Sequence, residues 1–167
     1  DENLLIKLMV ELEGHPDNIV PAYLGGLIVS YKVRDEIKYH QLNINDKLNF
    51  YVGYPKYKVS TFKARKALPK VYSIEDVIHN VSRMALLPTA FEKADMTLLK
   101  EILDDKIHEP YRKEFINEYD YIKKYLDNDN VVSIISGSGP TMLFISDKDV
   151  DFKKLCLKDW TFMKVDI

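Results

Sequence analysis

"VVSIISGSGPTMLFIS", Val131 to Ser146, sets two short apolar runs around a six-residue turn, "SGSGPT", Ser136 to Thr141. Short apolar runs bounded by Gly and Ser read as buried strands, so the stretch is a strand-turn-strand unit. After it, "DVDFKKLCL" (Asp149 to Leu157) reads as a helix and "WTFMKVDI" (Trp160 to Ile167) as a closing strand. Before it the pattern is helical. "STFKARKAL" (Ser60 to Leu68) is capped by Ser60 or Thr61, and "SIEDVIHNVSRMALLPTAF" (Ser73 to Phe91) opens with Ser73 three residues before Asp76, the spacing of a capping box. "MTLLKEIL" (Met96 to Leu103) and "RKEFINEYDYIKKYL" (Arg112 to Leu126) follow as two more helices.

Further upstream, "LIVSYKV" (Leu27 to Val33), "IKYHQLNI" (Ile37 to Ile44) and "LNFYVGYP" (Leu48 to Pro55) have strand composition, with a turn at Asp35-Glu36, and predict a meander. At the start, Leu4, Leu5, Leu8, Met9 and Leu12 form one apolar helix face, ended by Gly14 and Pro16. The order is β-rich, then α-rich, then β-turn-β-α-β. It predicts an α+β fold with helices on one face of a mainly antiparallel sheet, in a ferredoxin-like plait. No repeat, low-complexity tract or linker interrupts the chain, so residues 1–167 read as one domain.

Composition narrows the function classes. At 46% hydrophobic the 167 residues suffice for a buried core. Lys plus Arg (24) nearly balance Asp plus Glu (26) and are scattered, which argues against a nucleic-acid partner. No apolar run approaches the roughly 18 residues of a membrane span, so no membrane partner is expected. The single Cys156, between Leu155 and Leu157, reads as a buried thiol in a reducing compartment, so the expected location is cytoplasmic.

Three segments hold more polar chemistry than packing requires. In "EGHPDNIVPAYLGG" (Glu13 to Gly26), Pro16, Pro21 and the glycine pair restrain the backbone, holding His15, Asp17 and Asn18 in place. Either these side chains face a ligand, or Asp17 or Asn18 caps the next helical turn. In "SGSGPT", alternate glycines let amides converge on an anion, or simply make a tight turn with positive φ. "STFKARKALP" and "DKIHEPYR" place Arg65 and Arg112 in turn-like settings; either two guanidinium forks converge on a small carboxylate substrate, or each is simply solvated or in a surface pair.

"EGHPDNIVPAYLGG", "STFKARKALP", "DKIHEPYR" and "SGSGPT", in this order, resemble the homoserine kinases of the GHMP small-molecule kinase superfamily. The resemblance runs from Glu13 through Thr141 and implies the C-terminal domain of such a kinase. It implies ATP- and Mg²⁺-dependent phosphorylation of the side-chain hydroxyl of L-homoserine, a step toward threonine. Arg65 and Arg112 would bind the substrate carboxylate. His15, Asp17 and Asn18 would line the pocket, with Asp17 and Asn18 as its catalytic residues and Asn18 orienting the reacting hydroxyl. Gly137, Ser138 and Gly139 would support the phosphate region from below. Phosphoryl transfer asks mainly for positioning and charge stabilisation, so no strong general base is assigned.

Two features depart from the family pattern. The glycine- and serine-rich phosphate loop, P-x-x-x-G-L-G-S-S-A, does not occur in these residues, so the chain reads as lacking an N-terminal ATP-binding half that would be its partner; a homodimer stays open. Where relatives carry a Mg²⁺-binding carboxylate, this chain has Lys7, leaving Glu11, one turn later, as the candidate ligand. Two other readings stay open. One is another GHMP kinase, such as a diphosphocytidyl-methylerythritol kinase, against which the paired arginines count. The other is a non-catalytic α/β-plait binding module.

Overall fold

The computed structural model describes residues 2–34 and 36–167, so the turn expected at Asp35 lies partly outside the described residues. The chain divides into two compact units, one ending at Ile44 and the other spanning Asn45–Asp166. No Gly, Pro or Ser marks the division. Asn45 makes it: its amide donates to Phe91 O (3.1 Å) and its side-chain Nδ2 to Glu92 O (2.9 Å), which commits the following residues to the second unit.

The first unit holds helix α1 (Glu2–Glu13), helix α2 (Pro16–Leu24) and the antiparallel hairpin of β1 (Leu27–Val33) and β2 (Glu36–Leu42). Its core is Ile6, Val10 and Val20, packed against Ile19, Leu24, Ile28, Ile37 and Tyr39. Leu4, Leu5, Leu8 and Leu12 of the expected apolar face are exposed, Leu12 at 90%. Within this unit the hairpin turns only one face to α1 and α2, and Ile6 and Val10, four apart, meet it.

In the second unit, β3 (Asn49–Pro55), β4 (Val132–Ile135), β5 (Met142–Ser146) and β6 (Trp160–Val165) form one antiparallel sheet in the order β4-β5-β3-β6. This is the ferredoxin-like strand order, and the α+β expectation holds. The expected meander does not. β3 leaves β1 and β2 and lies between β5 and β6, with Tyr51 opposite Phe144 and Gly53 opposite Phe162. A side chain at Gly53 would strike Phe162 and Phe144 at 2.6–2.8 Å, so only glycine fits beneath those rings.

Helix α3 (Thr61–Lys66) is capped by Ser60 and α4 (Ile74–Met84) by Ser73, whose Oγ accepts the Asp76 amide at 3.0 Å and donates to the Asp76 carboxylate at 2.8 Å. The long helix expected after Ser73 breaks at Leu86 and resumes as α5 (Leu87–Lys93), because Pro88 has no N–H to continue the ladder. α6 (Met96–Ile102) and the single turn α7 (Glu109–Arg112) precede a 3-10 turn, Lys113–Phe115. The one helix expected over Arg112 to Leu126 is therefore interrupted: Ile116 is extended, the Asn117 amide goes to the Tyr57 hydroxyl (3.2 Å), and α8 (Tyr119–Asp127) begins afresh.

Tyr119, Ile122 and Leu126 of α8 cover the sheet face bearing Tyr51, Ile135, Met142 and Phe144. Phe50, next in β3 and pointing the other way, stacks on Phe91 of α5 at 6.3 Å, so a helix also meets the opposite face. The helix expected over Asp149 to Leu157 is a four-residue 3-10 turn, Phe152–Leu155, halted at Cys156, whose φ is 53°. Cys156 is exposed rather than buried, because the burial falls on Leu155 instead. Among the described residues, no helix is long and apolar enough to cross a membrane.

Candidate functional site

In the first unit the polar segment is a helix start rather than a loop. His15 is the N-cap residue of α2, extended at φ −141° and ψ 139°, and Pro16 opens the helix with its φ already suited to it. Asp17 and Asn18 therefore stand inside the first turn, and neither caps it, which removes the capping alternative. All three side chains are exposed, and Asp17 places a carboxylate near the positive end of the helix dipole. At the other end Gly25 and Gly26 both take positive φ, 73° and 75°, so that the chain can turn from α2 into β1.

Glu11 does not fit a Mg²⁺ site. It lines a cleft of about 420 Å³ together with Lys7 and Lys32, so its carboxylate shares its surroundings with two ammonium groups. Mg²⁺ at a nucleotide site needs only one or two carboxylates beside phosphate and water oxygens, but the two ammonium groups next to Glu11 compete with the cation for its one carboxylate. Among the described residues there is no group of three His, Cys, Asp or Glu side chains able to hold a metal.

In the second unit, the glycine turn draws the other segments together. It closes on itself through Ser136 N–H to Thr141 O (2.9 Å) and Gly139 N–H to Ser136 O (3.0 Å), with Gly137 and Gly139 at φ 58° and 74°. Ser138 Oγ reaches Thr61 Oγ1 of α3 at 3.5 Å, one turn before Arg65. Arg112, at the end of α7, donates from Nη1 to Gly137 O at 2.6 Å. Both arginines thus stand in helical turns, not open ones. Arg65 is exposed in a basic last turn with Lys63 and Lys66. Arg112 is half-buried, and its Nε is a buried donor with no partner among the described residues.

What holds α7 was not among the residues singled out from the sequence. Asp105 Oδ2 accepts the amides of His108 (2.7 Å) and Glu109 (2.6 Å), and its Oδ1 accepts Asn80 Nδ2 (2.6 Å). Burial alone would raise this carboxyl, but the Glu109 and His108 amides and the Asn80 side chain outweigh it and hold it below its ordinary value. Glu109 is 4% exposed; one oxygen accepts the Ile135 amide at 3.0 Å and the other Lys123 Nζ at 3.3 Å. Burial first, then the Glu109 charge, push the Tyr119 hydroxyl up, so it stays a neutral phenol there. The readable signal was the spacing in "DKIHEP": an acid followed three and four residues later by His and Glu, then Pro110 in the first turn of α7.

Comparison with known proteins finds similar sequences and a similar α+β architecture in homoserine kinases. The structure is similar to the crystal structure of homoserine kinase from Cytophaga hutchinsonii, with a TM-score of 0.73 and 27% identity over 80% of this chain and 42% of that one. In sequence, the chain is 40% identical over 148 residues to the homoserine kinase of Clostridium kluyveri, covering 88% of this chain and 49% of that protein. It is 42% identical over 142 residues to the homoserine kinase of Clostridium acetobutylicum, covering 84% of this chain and 48% of that protein. The chain spans about half the length of the curated relatives it matches. No protein-family model matches it.

Proposed function

We propose that this chain is the substrate-side part of a homoserine kinase, which transfers the γ-phosphoryl group of ATP to the side-chain hydroxyl of L-homoserine, giving O-phospho-L-homoserine. The observation that carries the reading lies in the second unit. Two arginine-bearing segments, α3 and α7, are both tied to one glycine turn, and Arg112 keeps an unpaired buried donor there. Arg112 holds the substrate carboxylate together with Arg65, through the planar fork that lysine lacks. The Gly137-Ser138-Gly139 turn fixes where Arg112 sits and supports the phosphate region. In the first unit, taken by itself, His15, Asp17 and Asn18 are exposed at the start of α2 and are proposed as polar contacts, with Asn18 orienting a hydroxyl.

An asparagine suffices because a loose phosphoryl-transfer transition state is governed by positioning and charge more than by proton removal. Mg²⁺, arriving with ATP, neutralises phosphate charge when bound. Among the described residues Glu11, beside Lys7 and Lys32, does not fit a site for it. The reaction belongs in the cytoplasm, where ATP and free amino acids meet. The test is a coupled ADP-release assay on the protein expressed from the whole gene, with L-homoserine and with 3-aminopropan-1-ol, which keeps amine and hydroxyl but lacks the carboxylate. Selective turnover of homoserine is expected. Equal turnover of both would refute the arginine reading, and no turnover of either would refute the kinase.

A further inference from the structure

We infer that Glu109 is a positioning residue, whose buried carboxylate ties α7 to the root of the glycine turn so that Arg112 and the turn hold one geometry. β4 is an edge strand, and the outward amides of an edge have no ladder partner. The amide of Ile135, the last residue of β4, is satisfied by Glu109 Oε1 at 3.0 Å in a fully buried hydrogen bond. Two residues on, Gly137 O accepts from Arg112 Nη1. Glu109 and Arg112 are three apart and so lie on the same side of their helical turn, and they meet the strand end and the turn that continues it as two successive rungs.

The first rung is built to be stiff. Asp105 fixes the two leading amides of α7 and is itself held by Asn80 of α4, whose Oδ1 accepts the Lys106 amide at 2.9 Å. The second oxygen of Glu109 pairs with Lys123 of α8, so its charge is buried with a partner. A solvated surface glutamate would need none of this. A buried carboxylate aimed at one backbone amide constrains that amide, and the amide it constrains is where the turn starts.

The inference rests on the proposed function only for its kinetic arm, and the test separates the two. Three variants of the whole-gene protein are compared. Glu109→Gln keeps an acceptor at the same reach and loses the charge; Glu109→Asp keeps the charge and loses the reach; Glu109→Ala loses both. Amide exchange followed by mass spectrometry should rise about tenfold or more across Ile135 to Gly139 in the Asp and Ala variants, with the β3 and β6 amides unchanged, and stay near wild type in Gln. In the same two variants the KM for homoserine should rise about tenfold while the KM for ATP holds. If exchange across the turn is unchanged in the Asp variant, or if the Gln variant is impaired while Asp is not, the tie is refuted and Glu109 serves only its ion pair. Faster exchange in the Asp and Ala variants of a protein whose wild type turns over no homoserine would leave the tie standing and refute the kinase reading alone.

Discussion

Replacing Arg112 by lysine isolates what the guanidinium fork contributes. The substitution keeps the positive charge but removes both the Nη1 bond to Gly137 O at 2.6 Å and the buried, unpaired Nε donor. A hydrogen bond involving a charged group contributes about 1.5 to 3 kcal/mol, and a lysine re-forms at most one of the two contacts. The expected cost to homoserine binding is therefore about 1.5 to 3 kcal/mol, a rise in KM of about ten- to a hundredfold. The assay is steady-state ADP release by the whole-gene protein, varying homoserine at saturating ATP and then ATP at saturating homoserine. The KM for ATP should stay within about twofold, because in the proposed reading the guanidinium holds the amino acid and not the nucleotide. Turnover of 3-aminopropan-1-ol should be nearly unaffected. If Arg112→Lys weakens homoserine and this carboxylate-free alcohol alike, Arg112 serves the fold and not the carboxylate.

Other consequences follow from the same geometry. Gly139→Ala forces a side chain into φ 74° with Ile116 and Ile135 atoms at 3.3 Å, and should destabilise by about 1 to 2 kcal/mol, lowering Tm by about 2 to 8 °C in a calorimetric scan. Asp105 has a folded-state pKa below the usual 3.8, so the stability it contributes is present above that value and lost as the pH falls through the folded value. Asp105→Asn should therefore flatten the acid side of a urea-midpoint against pH profile, and an unchanged acid slope would refute that role. The 167-residue chain alone, which contains no glycine- and serine-rich phosphate loop, should form no O-phosphohomoserine above background when assayed with ATP and Mg²⁺, since gripping the transferred phosphoryl group supplies most of the rate.

Local signals were legible where local forces decide. Ser73 and Asp76 announce the start of α4, and the glycine turn between two apolar runs announces β4 and β5. Strand partners were not. β3 carries the same composition as β1 and β2, and its transfer to the other sheet depends on Asn45 binding the end of α5, some 47 residues away. On α1 the leucines dominate the pattern, while Ile6 and Val10 are the side chains that meet the core of their unit. The candidate site is legible only as residue types in order. Its supports are not, because Glu109 and Asp105 look like solvated charges until the fold brings an edge-strand amide and a helix start to them.

The central claim is that the chain serves phosphoryl transfer to the hydroxyl of L-homoserine. The most direct measurement is mass-spectrometric identification of the product formed by the whole-gene protein from ATP and an equimolar mixture of L-homoserine, L-serine, L-threonine and 3-aminopropan-1-ol. The account predicts O-phospho-L-homoserine as the dominant product, abolished when homoserine is left out. Phosphorylation of the carboxylate-free alcohol in preference, or ADP release that does not depend on homoserine, would contradict it.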